Sequence, residues 1–160
     1  MNTNEYDVKV IKIVDGDTVD VDIDLGFGVT LTDERVRIMG IDTPESRTRD
    51  RVEDLFGEAA KARLAQLMHK GGKLITTEDR KGEDMKGKFG RILGDFKVDY
   101  DGEMKKVTEI LVEEGHAVAY FGGSKDDTQA AHLANRERIL NEGLVSKEDY
   151  NAAVAKMEGK

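Results

Sequence analysis

Cysteine is absent from this 160-residue chain, and proline occurs once, as Pro44. Without cysteine the fold needs no disulfide and has no thiolate with which to hold a metal. No apolar run approaches the roughly 20 residues that a bilayer-spanning helix needs, so no membrane partner is expected. The opening Met1-Asn2-Thr3-Asn4-Glu5-Tyr6-Asp7 has neither a basic nor an apolar region. No secretory signal is visible there, and cytoplasmic residence is the expectation. Positive charge is also in deficit: 25 Lys and Arg stand against 33 Asp and Glu, a formal charge of -8 at pH 7. For the chain as a whole, that balance lowers the odds of nucleic-acid binding.

What is present shifts the balance locally. Hydrophobic residues at 38% and charged residues at 36% suit one soluble globular core rather than a disordered chain. Five arginines fall between Arg35 and Arg51, whereas six acids fall between Asp99 and Glu114. An acidic protein with this segregation can keep a positive cleft. Its non-specific affinity for a polyanion would be weak, which suits a catalyst that must release its polymer.

Val8 to Val14 and Asp17 to Leu25 read as two strands turning at Asp15-Gly16. In the second, Val19, Val21, Ile23 and Leu25 share one face and Asp20, Asp22 and Asp24 the other, the latter expected as a solvated edge. Asp17 has the parity of the valines, so its carboxylate must find a partner at the inward edge. Gly26 to Asp33 reads as an exposed excursion or long hairpin tip, followed by a strand from Arg35 to Ile41. A polar stretch through Asp54 suggests a mobile loop. A helix is predicted from Gly57 to His69, with Phe56, Ala60, Leu64, Leu67 and Met68 on one face. Lys73 to Glu78 and Arg91 to Val98 are further strands around a charged loop. A short helix around Val107 to Leu111 follows, then an extended Ala117 to Phe121. Helices are also predicted over Thr128 to Asn141 and Lys147 to Met157, the last with Ser146 and Asp149 as a capping box. Five strands with a helix after the third point to a mainly β, α+β protein. The best architectural match is a five-stranded barrel of the oligonucleotide-binding type.

Two motifs carry the chemistry: Asp15-Gly16-Asp17-Thr18, and Arg35 to Glu45 with its Asp42-Thr43-Pro44-Glu45 ending. Asp17 and Asp42 both stand at predicted strand ends, where distant residues can converge. Calcium and similar hard cations take carboxylate, carbonyl and water oxygens. The single proline biases Thr43 toward an extended backbone, which suits a bend that aims Asp42 and the Thr43 carbonyl at one ion and leaves Glu45 free. Alone, that tetrapeptide also reads as an ordinary strand exit. Arg37 inside its strand and Arg91 after Phe89-Gly90 are guanidiniums able to grip phosphate in a forked geometry. A surface salt bridge for Arg37 and a strand-edge cation for Arg91 are the plain alternatives. Glu45 is the general-base candidate. Tyr120 and Phe121 are candidate base-stacking rings, and Lys86 and Lys88 candidate backbone contacts. His69, His116 and His132 are too scattered for a zinc site, and His132, on a charged helix, is expected to be exposed.

Together, Ile13 to Thr18, Arg37 to Glu45 and Lys88-Phe89-Gly90-Arg91 resemble the thermonuclease, or staphylococcal nuclease homologue, family over roughly Val8 to Asn141. Val107 to Gly115 and Ala117 to Phe121 resemble the family's following helix and hairpin region. The resemblance implies an oligonucleotide-binding type barrel over residues 8–142, with 1–7 as an N-terminal tail and 143–160 as a helical extension packed on or near it. It implies a calcium-dependent phosphodiesterase acting on DNA and RNA, single strands preferred, which breaks the 5′ phosphorus–oxygen bond and leaves 3′-phosphate ends. Asp17, Asp42 and the Thr43 carbonyl take metal roles by motif position, and Arg37, Glu45 and Arg91 catalytic roles. Asp15 becomes an acidic neighbour of the metal. Phe89 stands where the family often has tyrosine, which removes one hydroxyl contact to a terminal phosphate. The competing expectation is a non-catalytic nucleic-acid-binding module of the same barrel type. A monomer is the default state.

Overall fold

The structure is a computed structural model that describes residues 3–46, 48–77, 91–120 and 124–158. Its elements run β1 (Thr3–Asp15), β2 (Thr18–Gly26), β3 (Val29–Ile38), β4 (Ile41–Asp42), α1 (Arg51–Leu67), β5 (Gly72–Thr77), β6 (Ile92–Tyr100), β7 (Glu103–Lys106), α2 (Val107–Glu113), β8 (Val118–Ala119), α3 (Lys125–Asn141) and α4 (Lys147–Met157).

Period-two alternation builds the first hairpin: Val8 lies opposite Ile23, Val10 opposite Val21 and Ile13 opposite Val19. Val19, Val21 and Ile23 are buried on the inward face. Residues 3–7, expected as a tail, belong to β1 and pair with β5, Thr3 opposite Thr77 and Tyr6 opposite Leu74. The excursion expected from Gly26 to Asp33 is mostly strand, because β2 and β3 stay paired out to Gly26 and Val29. Gly26, Phe27 and Gly28 close it with φ of 79°, 56° and 75°, so two glycines take the left-handed backbone that a tight tip needs. Asp20, expected on a solvated edge, is buried. Arg35 sits opposite it and closes over its carboxylate with Nε and Nη2 bonds of 2.8 and 3.1 Å.

The expected five-stranded oligonucleotide-binding type barrel is corrected by the strand pairing. The described strands form a six-stranded sheet in the order β3-β2-β1-β5-β6-β7 and a separate two-stranded sheet of β4 and β8. A parallel pairing between β3 and β6 extends over only three residue pairs, from Val36–Ile92 to Ile38–Gly94. The physical reason lies in β6, which divides its edges among three neighbours: residues 92–94 meet β3, 95–97 meet β5 and 97–100 meet β7. The Glu103–Lys106 strand has no apolar alternation, so nothing in its sequence announces it.

α1 begins at Arg51 rather than at Gly57. The Asp50 carboxylate accepts hydrogen bonds from the Val52 and Glu53 amides at 3.0 and 3.1 Å, which satisfies two of the donors that a helix start leaves open. Residues 51–54, expected in a mobile loop, are therefore the helix's first turn. Phe56, Ala60, Leu64 and Met68 are buried along its inward side. Leu64 and Met68 join Val21, Ile38, Leu74, Phe96 and Leu111 in the main core. Phe56 instead joins Ile139 and Val145, with Leu55, Leu140 and Tyr150 against them, in a second cluster uniting α1, α3 and the approach to α4. α4 starts where its capping signal predicts, with Ser146 Oγ accepting from the Asp149 amide at 3.1 Å. Among the described residues, no helix is long and apolar enough to cross a membrane.

Candidate active site

The turn between β1 and β2 delivers Asp17, and Arg37 ties it to the next motif. Thr18 Oγ1 donates to Asp17 Oδ1 at 3.0 Å, and Asp17 Oδ2 lies 3.3 Å from Arg37 Nη2. The Arg37 guanidinium also donates to the Ile38 carbonyl, and through Nη2 to the Ile41 carbonyl at 3.1 Å. One partly buried side chain thus reaches from Asp17 to the peptide preceding Asp42. Both the salt bridge and the site were expected readings of Arg37, and the contact to Asp17 places the bridge inside the motif cluster. Asp42 is held from the other side, because Ile41 and Asp42 pair with Ala119 and Val118, and the Tyr120 amide donates to the Gly40 carbonyl at 2.9 Å.

Two glycines let these pieces approach. A Cβ on Gly57 of α1 would stand 2.3 Å from the Glu45 carbonyl oxygen and 2.7 Å from the Ser46 nitrogen. A Cβ on Gly16 would stand 2.9 Å from the Ala60 Cβ and 3.2 Å from Thr43 Oγ1. The 42–46 segment is therefore wedged between the β1–β2 turn and α1. Ser46 Oγ donates to Asp15 Oδ1 and joins the two motifs a second time.

Glu45 reports the resulting charge. Its pKa is pushed above the ordinary value, first by partial burial and then by the negative charges of Asp17, Asp15, Glu53 and Asp42. Four carboxylates from three parts of the chain thus act on a fifth. The donor chemistry fits a hard cation, since carboxylate oxygens beside backbone carbonyls are what calcium takes. Among the described residues no group of three or more His, Cys, Asp or Glu side chains is close enough to hold an ion by side chains alone. A cation held by Asp17, Asp42 and the Thr43 carbonyl would therefore need water to complete its shell.

Asp42, Thr43 and Glu45 line a cleft of about 310 Å³ together with Lys125, Gln129 and His132 of α3. His132 was expected to be exposed and is buried: its Nε2 lies 2.7 Å from Asp42 Oδ2, the side chain only 7% exposed. Tyr120, a candidate stacking ring, borders the same cleft and is partly exposed. Arg91 precedes β6. In the parallel register Val36 meets Ile92 and Arg37 meets Leu93. Arg91 therefore leads into β6 beside the end of β3 that carries Arg37. Phe89, Lys86, Lys88 and Phe121 lie outside the described residues. A larger cleft of about 550 Å³, bordered by Val8, Leu67 and His69, contains none of the expected site residues.

The family model described as Staphylococcal nuclease homologue matches residues 35–141, which include Arg37, Asp42, Thr43, Glu45, Arg91 and His132. The chain belongs to the staphylococcal nuclease homologue family. The chain is 32% identical over 144 residues to Protein ParB of Escherichia coli, covering 86% of this chain and 71% of that protein. It is 32% identical over 150 residues to the micrococcal nuclease of Shigella flexneri, covering 90% and 75%. It is 30% identical over 157 residues to the SPbeta prophage-derived endonuclease YokF of Bacillus subtilis (strain 168). That match covers 92% of this chain and 49% of the prophage protein, so the chain spans about half of its length. The segment matched by the family model begins at Arg35, so Asp17 lies ahead of it.

Proposed function

We propose that this chain is a phosphodiester hydrolase of DNA and RNA, preferring single strands, with calcium held by Asp17, Asp42 and the Thr43 carbonyl. The observation that carries this reading is the convergence of Asp15, Asp17, Asp42 and Glu53 on Glu45, next to an arginine that bridges the two motifs. The names of two similar proteins, a micrococcal nuclease and a prophage-derived endonuclease, support the substrate class.

Calcium, when bound, supplies Lewis-acid polarisation of a phosphoryl oxygen and neutralises the carboxylates around it. Glu45 takes a proton from the attacking water. As water oxygen bonds to phosphorus and the bond to the 5′ oxygen breaks, negative charge gathers on the non-bridging oxygens. Arg37 and Arg91 hold that charge with fixed forks, and Arg91 eases departure of the 5′ oxygen, leaving a 3′-phosphate.

The test is loss of end-labelled single-stranded DNA and RNA with calcium and with a chelator. Calcium-dependent fragments ending in 3′-phosphate are expected. Binding without cleavage, unchanged by chelation, would instead establish the non-catalytic binding module.

A further inference from the structure

We propose that His132 is a positioning residue that fixes the Asp42 carboxylate for cation binding. The proposal rests on the reading of Asp42 as a cation ligand and adds to it a residue on a different element, far along the chain. An ionised carboxylate can only accept a hydrogen bond, so the 2.7 Å contact requires the proton on His132 Nε2. That bond clamps one carboxylate oxygen of Asp42, Oδ2, at the cleft that both residues border.

The elements behind the contact explain why a clamp is needed. β4 is two residues long and, among the described residues, pairs only with the equally short β8, so its backbone gives Asp42 a direction but little stiffness. α3 is a 17-residue helix, capped by Ser124 and anchored by Ile139 in the second apolar cluster. His132 carries the rigidity of that helix to a carboxylate on a short, weakly paired strand. Carboxylates that bind ions are themselves ordinarily hydrogen-bonded, and loss of the outer partner typically costs about 10–100-fold in affinity. The bland alternative, a buried imidazole that merely satisfies its own polar nitrogen, would affect folding and leave the ion untouched.

Calorimetric titration of calcium into the wild-type chain, His132→Leu and His132→Gln separates these outcomes, with melting temperatures measured in chelator. Leucine fills the volume without a donor, whereas glutamine returns an N–H near the Nε2 position. His132→Leu is expected to weaken calcium binding about 10–100-fold, and His132→Gln to recover most of the loss. In an Asp42→Asn background His132→Leu should cause no further loss. Should His132→Leu fail to fold, His132→Asn replaces it, since its amide is too short to reach Asp42 and the same weakening is expected. Wild-type affinity in the leucine variant, or no recovery with glutamine, would overturn the proposal. Absence of any calcium heat in the wild type would remove the ligand reading of Asp42 itself, and the positioning role with it.

Discussion

At the scale of single residues, the site depends on charge that the fold concentrates and on space that the fold withholds. Glu45 carries a raised pKa, so its ionised form is disfavoured in the folded chain relative to the unfolded one. Without calcium, the associated stability is fully present below the ordinary value of 4.5 and is lost as pH rises through the higher folded-state pKa. Glu45→Gln removes that loss. Its calcium-free melting temperature at neutral pH should exceed the wild type's, with the gap closing in acid, while its cleavage rate should fall about 10²–10⁴-fold. Thermal melts across pH and steady-state cleavage check both halves. Gly57 sets the opposite balance. Alanine there gains about 1 kcal/mol of helix propensity, but its methyl would meet the Glu45 carbonyl at 2.3 Å. Overpacking costs about 1–3 kcal/mol, and the atoms met here are backbone rather than a flexible side chain, so Gly57→Ala should destabilise clearly, by chemical denaturation. Turnover should also fall, about 10²-fold, because displacing Glu45 by about 1 Å spoils its aim at the attacking water.

At the scale of elements, the motifs were legible and their supports were not. Asp17, Asp42 and Glu45 announce themselves because each sits in a short run whose turn residues and strand parity fix its place. His132 gave no such sign. The inward side of α3 carries Thr128, Ala131, His132, Asn135, Arg136, Ile139 and Leu140 at helical spacing, and most of these are polar. A hydrophobic stripe was therefore invisible although the buried one exists. Arg136 shows what fills that face, with its guanidinium 5.4 Å from the centre of the Phe56 ring. The start of α1 was missed for a related reason. Residues 51–54 read as polar loop because Val52 is the one apolar side chain among them, and the fully buried side chains of the helix begin at Phe56. Register brings the arginines to one end of the sheet: β3 and β6 run parallel from Val36–Ile92, and Arg91 stands just before β6. Arg91→Lys keeps the charge and loses the fork. Turnover should fall about 10²-fold or more, with a much smaller change in melting temperature, and a normal rate would remove Arg91 from the mechanism.

At the scale of the whole molecule, sequence alternation established the paired strands but not how they share edges. Apolar parity identifies a strand without naming its neighbours, and β6 serves three of them. The expected five-stranded barrel gave way to a six-stranded sheet with a separate two-stranded one for that reason. The formal charge of -8 likewise misleads when averaged over the chain. Part of the acidity is gathered around Glu45, where a divalent cation would convert mutual repulsion into binding. The central claim is that Asp17, Asp42 and the Thr43 carbonyl meet at one such ion. A crystal grown with calcium and measured for anomalous scattering tests it directly. One strong peak is expected about 2.3–2.6 Å from a carboxylate oxygen of Asp17, one of Asp42, and the Thr43 carbonyl oxygen. A calcium peak bound elsewhere, with those three oxygens turned away from it in a chain that still cleaves DNA, would contradict it.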